Sequence, residues 1–326
     1  MDLAAGARLR SAGELADEDE SRASAWFLFK LALATLAATL VLISLGGTVR
    51  ATGSGLACPD WPLCQGKVVP PAQKGTVLEV SHRLAATVVG LLTLATFLTV
   101  VRNHRSSRAM LVAAFLSGVL VVGQVILGAA VILAKLPPAL VTVHLAMATG
   151  FAGAIAAIAI AALVRARPRA WAVEASRGSV RWVLAATAAT YLLIVLGGHV
   201  SSSGSSLACT QWPLCNGLWI PNGDWRVWLG FSHRIVAAVM VVLVVGSALS
   251  VFLRKEPAAL RRIVAGALAV TAAEALVGAL NPILLIPAAV VVAHLSLATL
   301  AWMLLAGASA LCLTGWQHPA RQTAES

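Results

Sequence analysis

Gly46–Gly66 reads GGTVRATGSGLACPDWPLCQG, and Gly197–Gly217 reads GGHVSSSGSSLACTQWPLCNG. The Gly-Gly, Gly-Ser, Leu-Ala-Cys and Trp-Pro-Leu-Cys steps return at a constant offset of 151. A loop copied with its flanks makes the chain a tandem repeat, and the composition says of what. Of 326 residues, 59% are hydrophobic and 11% charged, where soluble domains carry about 25% charge. Apolar stretches of about 20 residues cross a bilayer as helices, and eight are present, near 26–46, 79–101, 109–133, 139–164, 180–199, 229–253, 260–281 and 287–313. Only a helix satisfies its own backbone groups in lipid within one segment. The fold class is therefore an all-α polytopic membrane protein.

The repeat runs beyond the loop. VSHR at Val80–Arg83 returns as FSHR at Phe231–Arg234, GQVILGA at 123–129 as AEALVGA at 273–279, and VTVHLAMAT at 141–149 as VVAHLSLAT at 291–299. Two tandem four-helix bundles follow, 26–164 and 180–313, joined by a linker at 165–179 and flanked by tails 1–25 and 314–326. With an even number of helices, both insert in the same sense, so their pseudo-twofold axis should run along the membrane normal.

The net charge of +11 is unevenly placed. Arg102, Arg105 and Arg108 follow the second helix, Arg165, Arg167, Arg169, Arg177 and Arg181 the fourth, and Arg254, Lys255, Arg261 and Arg262 the sixth. The alternate loops hold only Arg50, Lys67, Lys74, Lys135 and Arg226. The positive-inside rule then puts both termini in the cytoplasm of a plasma-membrane protein, with the cysteine loops outside. The charge is a topology signal facing the lipid bilayer, and no nucleic-acid partner is expected. The first 25 residues, with ELADEDE among them, read as a disordered cytoplasmic tail. They lack the basic start and cleavage site of a secretory signal, so the first helix stays as an anchor.

Seven histidines divide by position. His104 and His318 fall in polar segments and read as solvated surface residues. His82 and His144 form one pair, on the second and fourth helices, and His233 and His294 the equivalent pair, on the sixth and eighth. Ionisable groups at membrane depth are costly and mark function. Two neutral imidazoles facing each other across a four-helix core are what a six-coordinate haem iron needs. Zinc fits less well, because four close ligands are wanted. Arg83 and Arg234 follow their histidines and suit haem propionates, or alternatively snorkel to headgroups. His199, matched by Thr48, reads as a helix-end hydrogen bonder.

Five residues separate Cys58 from Cys64 and Cys209 from Cys215. On the oxidising side of a membrane such pairs persist as disulfides, either as structural caps or as redox-active pairs that exchange with a thiol partner. Structure is favoured for Cys209–Cys215, and both readings stand for Cys58–Cys64. Cys312 reads as packing. The halves differ at Glu79, three residues before His82, whose counterpart is Gly230. A carboxylate there can act as general base or stabilise positive charge, or it can merely pair with Arg83. Because Arg234 has the same setting and no acid, Arg83 is not expected to need one. Gln124 is matched by Glu274, which is read either as hydrogen-bonded inside its bundle or as part of a proton route.

Taken together, EVSHR and FSHR, the paired VHL and AHL, eight helices in two halves and a cysteine pair per half resemble the heme A synthase family, in its bacterial form with two cysteine pairs. The resemblance covers about 26–313. It implies oxidation of a ring methyl of heme O to a formyl group, giving heme A for cytochrome oxidase. It also implies that His233 and His294 ligate a resident heme b, that His82 and His144 hold the substrate heme O, and that Glu79 is the catalytic carboxylate. Cys58 and Cys64 match the pair implicated in turnover. The partners implied are the heme O-producing enzyme, an electron acceptor in the membrane such as a quinone, and an extracytoplasmic thiol–disulfide partner. A dihaem quinol-oxidising cytochrome b is the alternative, which would need the histidines but not Glu79. A thiol–disulfide oxidoreductase would not need four histidines, and a transporter would show broken helices near the midplane.

Overall fold

The computed structural model describes residues 12–315, and every regular element among them is helical. The elements are α1 (Ala12–Ala51), α2 (Lys74–Asn103), α3 (Arg108–Leu133), α4 (Pro138–Ala166), a single turn α5 (Pro168–Trp171), α6 (Arg177–Ser202), α7 (Trp225–Leu253), α8 (Ala258–Ile283) and α9 (Ala288–Gly315). All but α5 are long and apolar enough to cross a membrane. Local chemistry sets their ends. Asp224 caps α7 by accepting the Arg226 and Val227 N–H groups at 3.0 and 3.3 Å. Pro138 opens α4 at the first helical position, where no N–H is needed. The α3–α4 turn at Lys135–Leu136 and the α8–α9 turn at Leu285–Ile286 adopt the same positive φ, so the repeat extends to its connections.

The two halves pack alike. In each, the first helix lies against the second and fourth, and the third joins the second to the fourth. The halves meet where α4 packs on α9, α1 on α9, and α4 on α6. Exchanging every helix for its counterpart maps this set of contacts onto itself. Small residues let the backbones approach at the seam, where Ala152, Ala156, Ile194, Trp302, Met303 and Ala306 form a shared core. A side chain at Gly153 would meet the Trp302 ring at 2.8 Å, and the Trp302 indole N–H donates to the Thr149 carbonyl at 2.8 Å. Ser44 and Ser296 hydroxyls bridge α1 and α9 at 2.7 Å.

Two expectations need correcting here. The polar tail is helical from Ala12, because Glu, Ala and Arg favour helix and acidic residues suit its N-terminus; Arg22 and Glu18 add a pair at 3.4 Å. An apolar count cannot register such a polar turn. His104 is buried, not solvated, at 3% exposure, with Nε2 3.4 Å from the Ser24 hydroxyl. Burial, with the nearby Arg165 charge, holds it below the ordinary imidazole value. In the other half a comparable contact is made by Glu256, which accepts from the Ser176 N–H at 3.1 Å and hydroxyl at 2.6 Å. Residues 1–11 and 316–326, His318 among them, lie outside the described residues.

Candidate functional site

The four membrane histidines come together in the expected pairs. His144 on α4 lies near His82 on α2, and His233 on α7 near His294 on α9. Each imidazole edge rests on a glycine of a neighbouring helix. A Cβ at Gly46 would lie 3.0 Å from His82 Cε1, at Gly128 3.4 Å from His144 Cε1, at Gly197 2.9 Å from His233 Cε1, and at Gly278 2.7 Å from His294 Cε1. The pairs Gly46/Gly197 and Gly128/Gly278 are themselves repeat counterparts. Nδ1 is buried without a hydrogen-bond partner in His82, His144 and His233. Among the described residues no cluster of three or more histidine, cysteine or acidic side chains is placed to hold a metal. Two imidazoles per half, each with its edge on a glycine, are a donor set that suits haem iron.

The cysteine loops lie at the same end of the molecule as these histidines and are locked to them. Cys58–Cys64 and Cys209–Cys215 are disulfides, with Cα separations of 4.5 and 4.8 Å. Arg83 donates to the Leu63, Asp60, Pro62 and Cys58 carbonyls at 2.8, 3.1, 3.2 and 3.3 Å. Arg234 does the same in the other loop, to Gln211 and Leu214 at 2.7 Å, Cys209 at 2.8 Å and Pro213 at 3.5 Å. Both guanidinium groups thus serve loop carbonyls, which turn inward and need donors. Two further N–H groups of the first loop, Gln65 and Gly66, are taken by the Asp60 carboxylate at 2.6 and 2.7 Å.

Glu79 is 3% exposed and has both oxygens engaged. Oε1 accepts from Arg83 at 2.7 Å, and Oε2 accepts the Cys58 N–H at 2.9 Å. Arg83 therefore does pair with an acid, contrary to the argument from Arg234. The carboxylate is charge-paired, fixed one helical turn from His82, and tied to the backbone of the disulfide. At its counterpart Gly230, a Cβ would meet the Ser205 carbonyl at 3.5 Å and Cys209 Sγ at 3.9 Å, so the second loop closes over that spot.

Glu274 lies against a candidate ligand: its Oε1 is 3.2 Å from His294 Nδ1, and its own carbonyl is 3.3 Å from the same nitrogen. Gln124, its counterpart, donates instead to the His144 carbonyl at 2.7 Å. His199 Nδ1 is 3.2 Å from the Thr142 hydroxyl, at the contact of α6 with α4. Cys312 is a buried free thiol in the core. The glycine shelves were not among the expected site residues. Their signal was present: Gly-Gly and Gly-Ala steps that recur in register with the histidines.

The chain matches the family model described as cytochrome oxidase assembly protein, COX15-CtaA, over residues 29–77 and 73–306. It is similar to proteins named heme A synthase. That of Symbiobacterium thermophilum is 34% identical over 263 residues, 78% of this chain and 85% of the relative. That of Halalkalibacterium halodurans is 30% identical over 209 residues, 63% and 70% respectively. That of Alkalihalophilus pseudofirmus is 29% identical over 206 residues, 62% and 69%.

Proposed function

Because the chain belongs to the COX15-CtaA family of cytochrome oxidase assembly proteins, we propose that it is a heme A synthase, oxidising a ring methyl of heme O to a formyl group. The observation that carries this reading is the broken symmetry of the site. Both halves present two imidazoles on glycine shelves, while among the described residues only the first sets a buried carboxylate under its disulfide loop, where Glu79 accepts from Arg83 and from the Cys58 N–H; the buried carboxylate of the second, Glu274, lies against His294 instead. A quinol-oxidising dihaem cytochrome leaves that asymmetry without a purpose. In this reading His82 and His144 hold the substrate, heme O, and His233 and His294 hold a resident heme b. With water as the oxygen source, methyl-to-formyl oxidation releases four electrons and four protons, and bound heme b would supply a one-electron relay that hands those electrons singly to an acceptor in the membrane.

The residues of the chain do the rest. The imidazole pairs would hold each macrocycle through its iron. The Glu79 carboxylate, paired with Arg83 and oriented by the Cys58 N–H, would face the substrate as a base and an electrostatic partner, where oxidation develops positive charge and releases protons. Each oxygen keeps lone-pair capacity beyond its present bond. Arg83 and Arg234 hold the loops that cover both sites, and any propionate they meet must share them with loop carbonyls. The cysteine loops face away from the cytoplasm of the plasma membrane in this proposal, the termini face inward, and the halves are related by a pseudo-twofold axis along the membrane normal. An impermeant thiol reagent on intact cells should not label a cysteine introduced at position 170; labelling would reverse the orientation. An electron acceptor in the membrane, the heme O-producing enzyme and a thiol–disulfide partner for Cys58–Cys64 complete the proposed set of partners.

The decisive experiment is Glu79→Gln, which keeps size but removes charge. The purified variant should retain haem and accumulate heme O or a partly oxidised product, with turnover down about 10²–10⁴-fold, the range of a positioned general base. Normal heme A per folded molecule would end the case for Glu79.

A further inference from the structure

Of the four candidate ligands, His294 alone has a carboxylate on its Nδ1 side. Glu274 Oε1 stands 3.2 Å away, the Glu274 carbonyl 3.3 Å away, and the glutamate side chain is only 9% exposed. Nδ1 of His82, His144 and His233 lacks any hydrogen-bond partner, although His82 lies beside the Leu42 carbonyl outside bonding geometry. The repeat makes this difference specific. At the matching place Gln124 turns its amide to the His144 carbonyl and leaves its own oxygen buried and unpaired. One half thus presents a carboxylate to its ligand and the other an amide that ignores it. An acidic side chain inside a spanning helix is costly, and this one has no other hydrogen-bond partner among the described residues.

We infer that Glu274 is a positioning residue that sets the electronic character of the resident haem, separating its redox potential from that of the haem in the other half. The inference rests on the assignment of His233 and His294 to a resident haem. The mechanism is ordinary ligand chemistry. A proton on Nδ1 shared with a carboxylate fixes the tautomer that points Nε2 at the iron and makes the imidazole a stronger electron donor. A stronger donor stabilises the oxidised iron and lowers its reduction potential. A Cβ at Gly278 would lie 2.7 Å from His294 Cε1 and 3.1 Å from its Nδ1, so the glycine and the carboxylate confine the same edge of the imidazole. The first half lacks this grip on Nδ1, and its iron is correspondingly easier to reduce.

Potentiometric titration of the purified, haem-loaded protein tests this. Glu274→Gln should keep a six-coordinate low-spin haem and move the midpoint of the second-half haem to higher potential. Glu274→Asp, which restores a carboxylate, should move it less. If Glu274→Gln loses haem, Gln124→Glu asks the same question of the first half, whose haem should shift to lower potential. A retained haem with unmoved midpoint in Glu274→Gln, or in Gln124→Glu where that variant must be used, overturns the inference. Failure of the underlying assignment looks different: His294→Ala would then leave the heme b content unchanged.

Discussion

Replacing the four shelf glycines one at a time by alanine should give a graded loss of haem, ordered by a single distance. The Cβ introduced would sit 2.7 Å from the imidazole at Gly278, 2.9 Å at Gly197, 3.0 Å at Gly46 and 3.4 Å at Gly128. Alanine in a helix interior gains about 0.5–1 kcal/mol over glycine, and this gain is the same with or without haem. The clash is not. In the haem-free protein the ring can rotate away from the new methyl, whereas iron ligation holds it in place. Overpacking costs about 1–3 kcal/mol, so Gly278→Ala should weaken haem retention on the order of 5–100-fold, at about 1.4 kcal/mol per tenfold. Gly197→Ala and Gly46→Ala should fall between, and Gly128→Ala should be nearly neutral because 3.4 Å is close to ordinary contact. The assay is the rate at which each variant yields haem to an excess of a haem-scavenging protein, read beside thermal unfolding of the haem-free form. Haem loss from Gly128→Ala as fast as from Gly278→Ala, or Gly278→Ala holding haem like the parent, would refute the shelf as a steric device.

Three further outcomes follow from the same geometry. His233→Ala or His294→Ala should strip the resident low-spin haem, while His82→Ala or His144→Ala should leave it and abolish product; equal loss of heme b from both sets would deny that the halves are specialised. The Cys209→Ser/Cys215→Ser double variant opens a loop of sequence separation 6, and should cost stability near the low end of about 2–4 kcal/mol with turnover kept in whatever folds, so unchanged stability with no turnover would make this pair the redox-active one. The Gly66 N–H foremost, with the Gln65 N–H and the Arg83 charge, holds the Asp60 carboxyl below the usual carboxylate range. A depressed value gives stabilisation that is full above the unfolded-state value and lost as pH falls through the folded one. Proteolysis of the first loop should therefore rise only in that acid window, and Asp60→Asn should abolish the dependence.

The eight spans were legible because a lipid-crossing helix leaves a long apolar signature, and the histidine pairs because a repeat reveals register. Most of what escaped the sequence depends on a neighbour in another element. His104 is buried because Ser24, eighty positions away, reaches its ring. Gly128 is a shelf only because α4 brings His144 beside it. The commitment of Arg83 and Arg234 to loop carbonyls follows from the turn geometry that points those oxygens inward, which residue types do not encode. Glu274 was visible as a broken symmetry, but its contact with His294 depends on the packing of α8 on α9. The polar first turns of α1 failed for the opposite reason, since their helicity is local and only their lack of apolar residues hid it.

The second glycine of each Gly-Gly step carries a separate argument, about how the two sites share a seam. Gly46 and Gly197 shelve the histidines of their own halves, whereas Gly47 and Gly198 face the other half. A Cβ at Gly198 would lie 2.5 Å from Leu145 Cδ2, and one at Gly47 2.8 Å from Leu295 Cδ2. Leu145 follows His144 and Leu295 follows His294, so the residue beside a ligand of one half presses on the residue beside a shelf of the other. The leucine tip can change rotamer, so Gly198→Ala alone should be mild, with a distorted rotamer costing about 0.5–1.5 kcal/mol. Leu145→Ala alone should cost about 2 kcal/mol through the cavity it leaves, the low end for a deleted leucine, because Leu145 is only partly buried. Together they should lose less than their sum, because the new methyl fills part of that cavity; coupling between touching residues is about 0.5–3 kcal/mol. Thermal midpoints of the two single variants and the double variant in one detergent measure the cycle, and Gly47→Ala with Leu295→Ala should repeat it more weakly. Additive losses at both places would mean that the second glycine serves its own helix and that the seam does not join the two haem sites there.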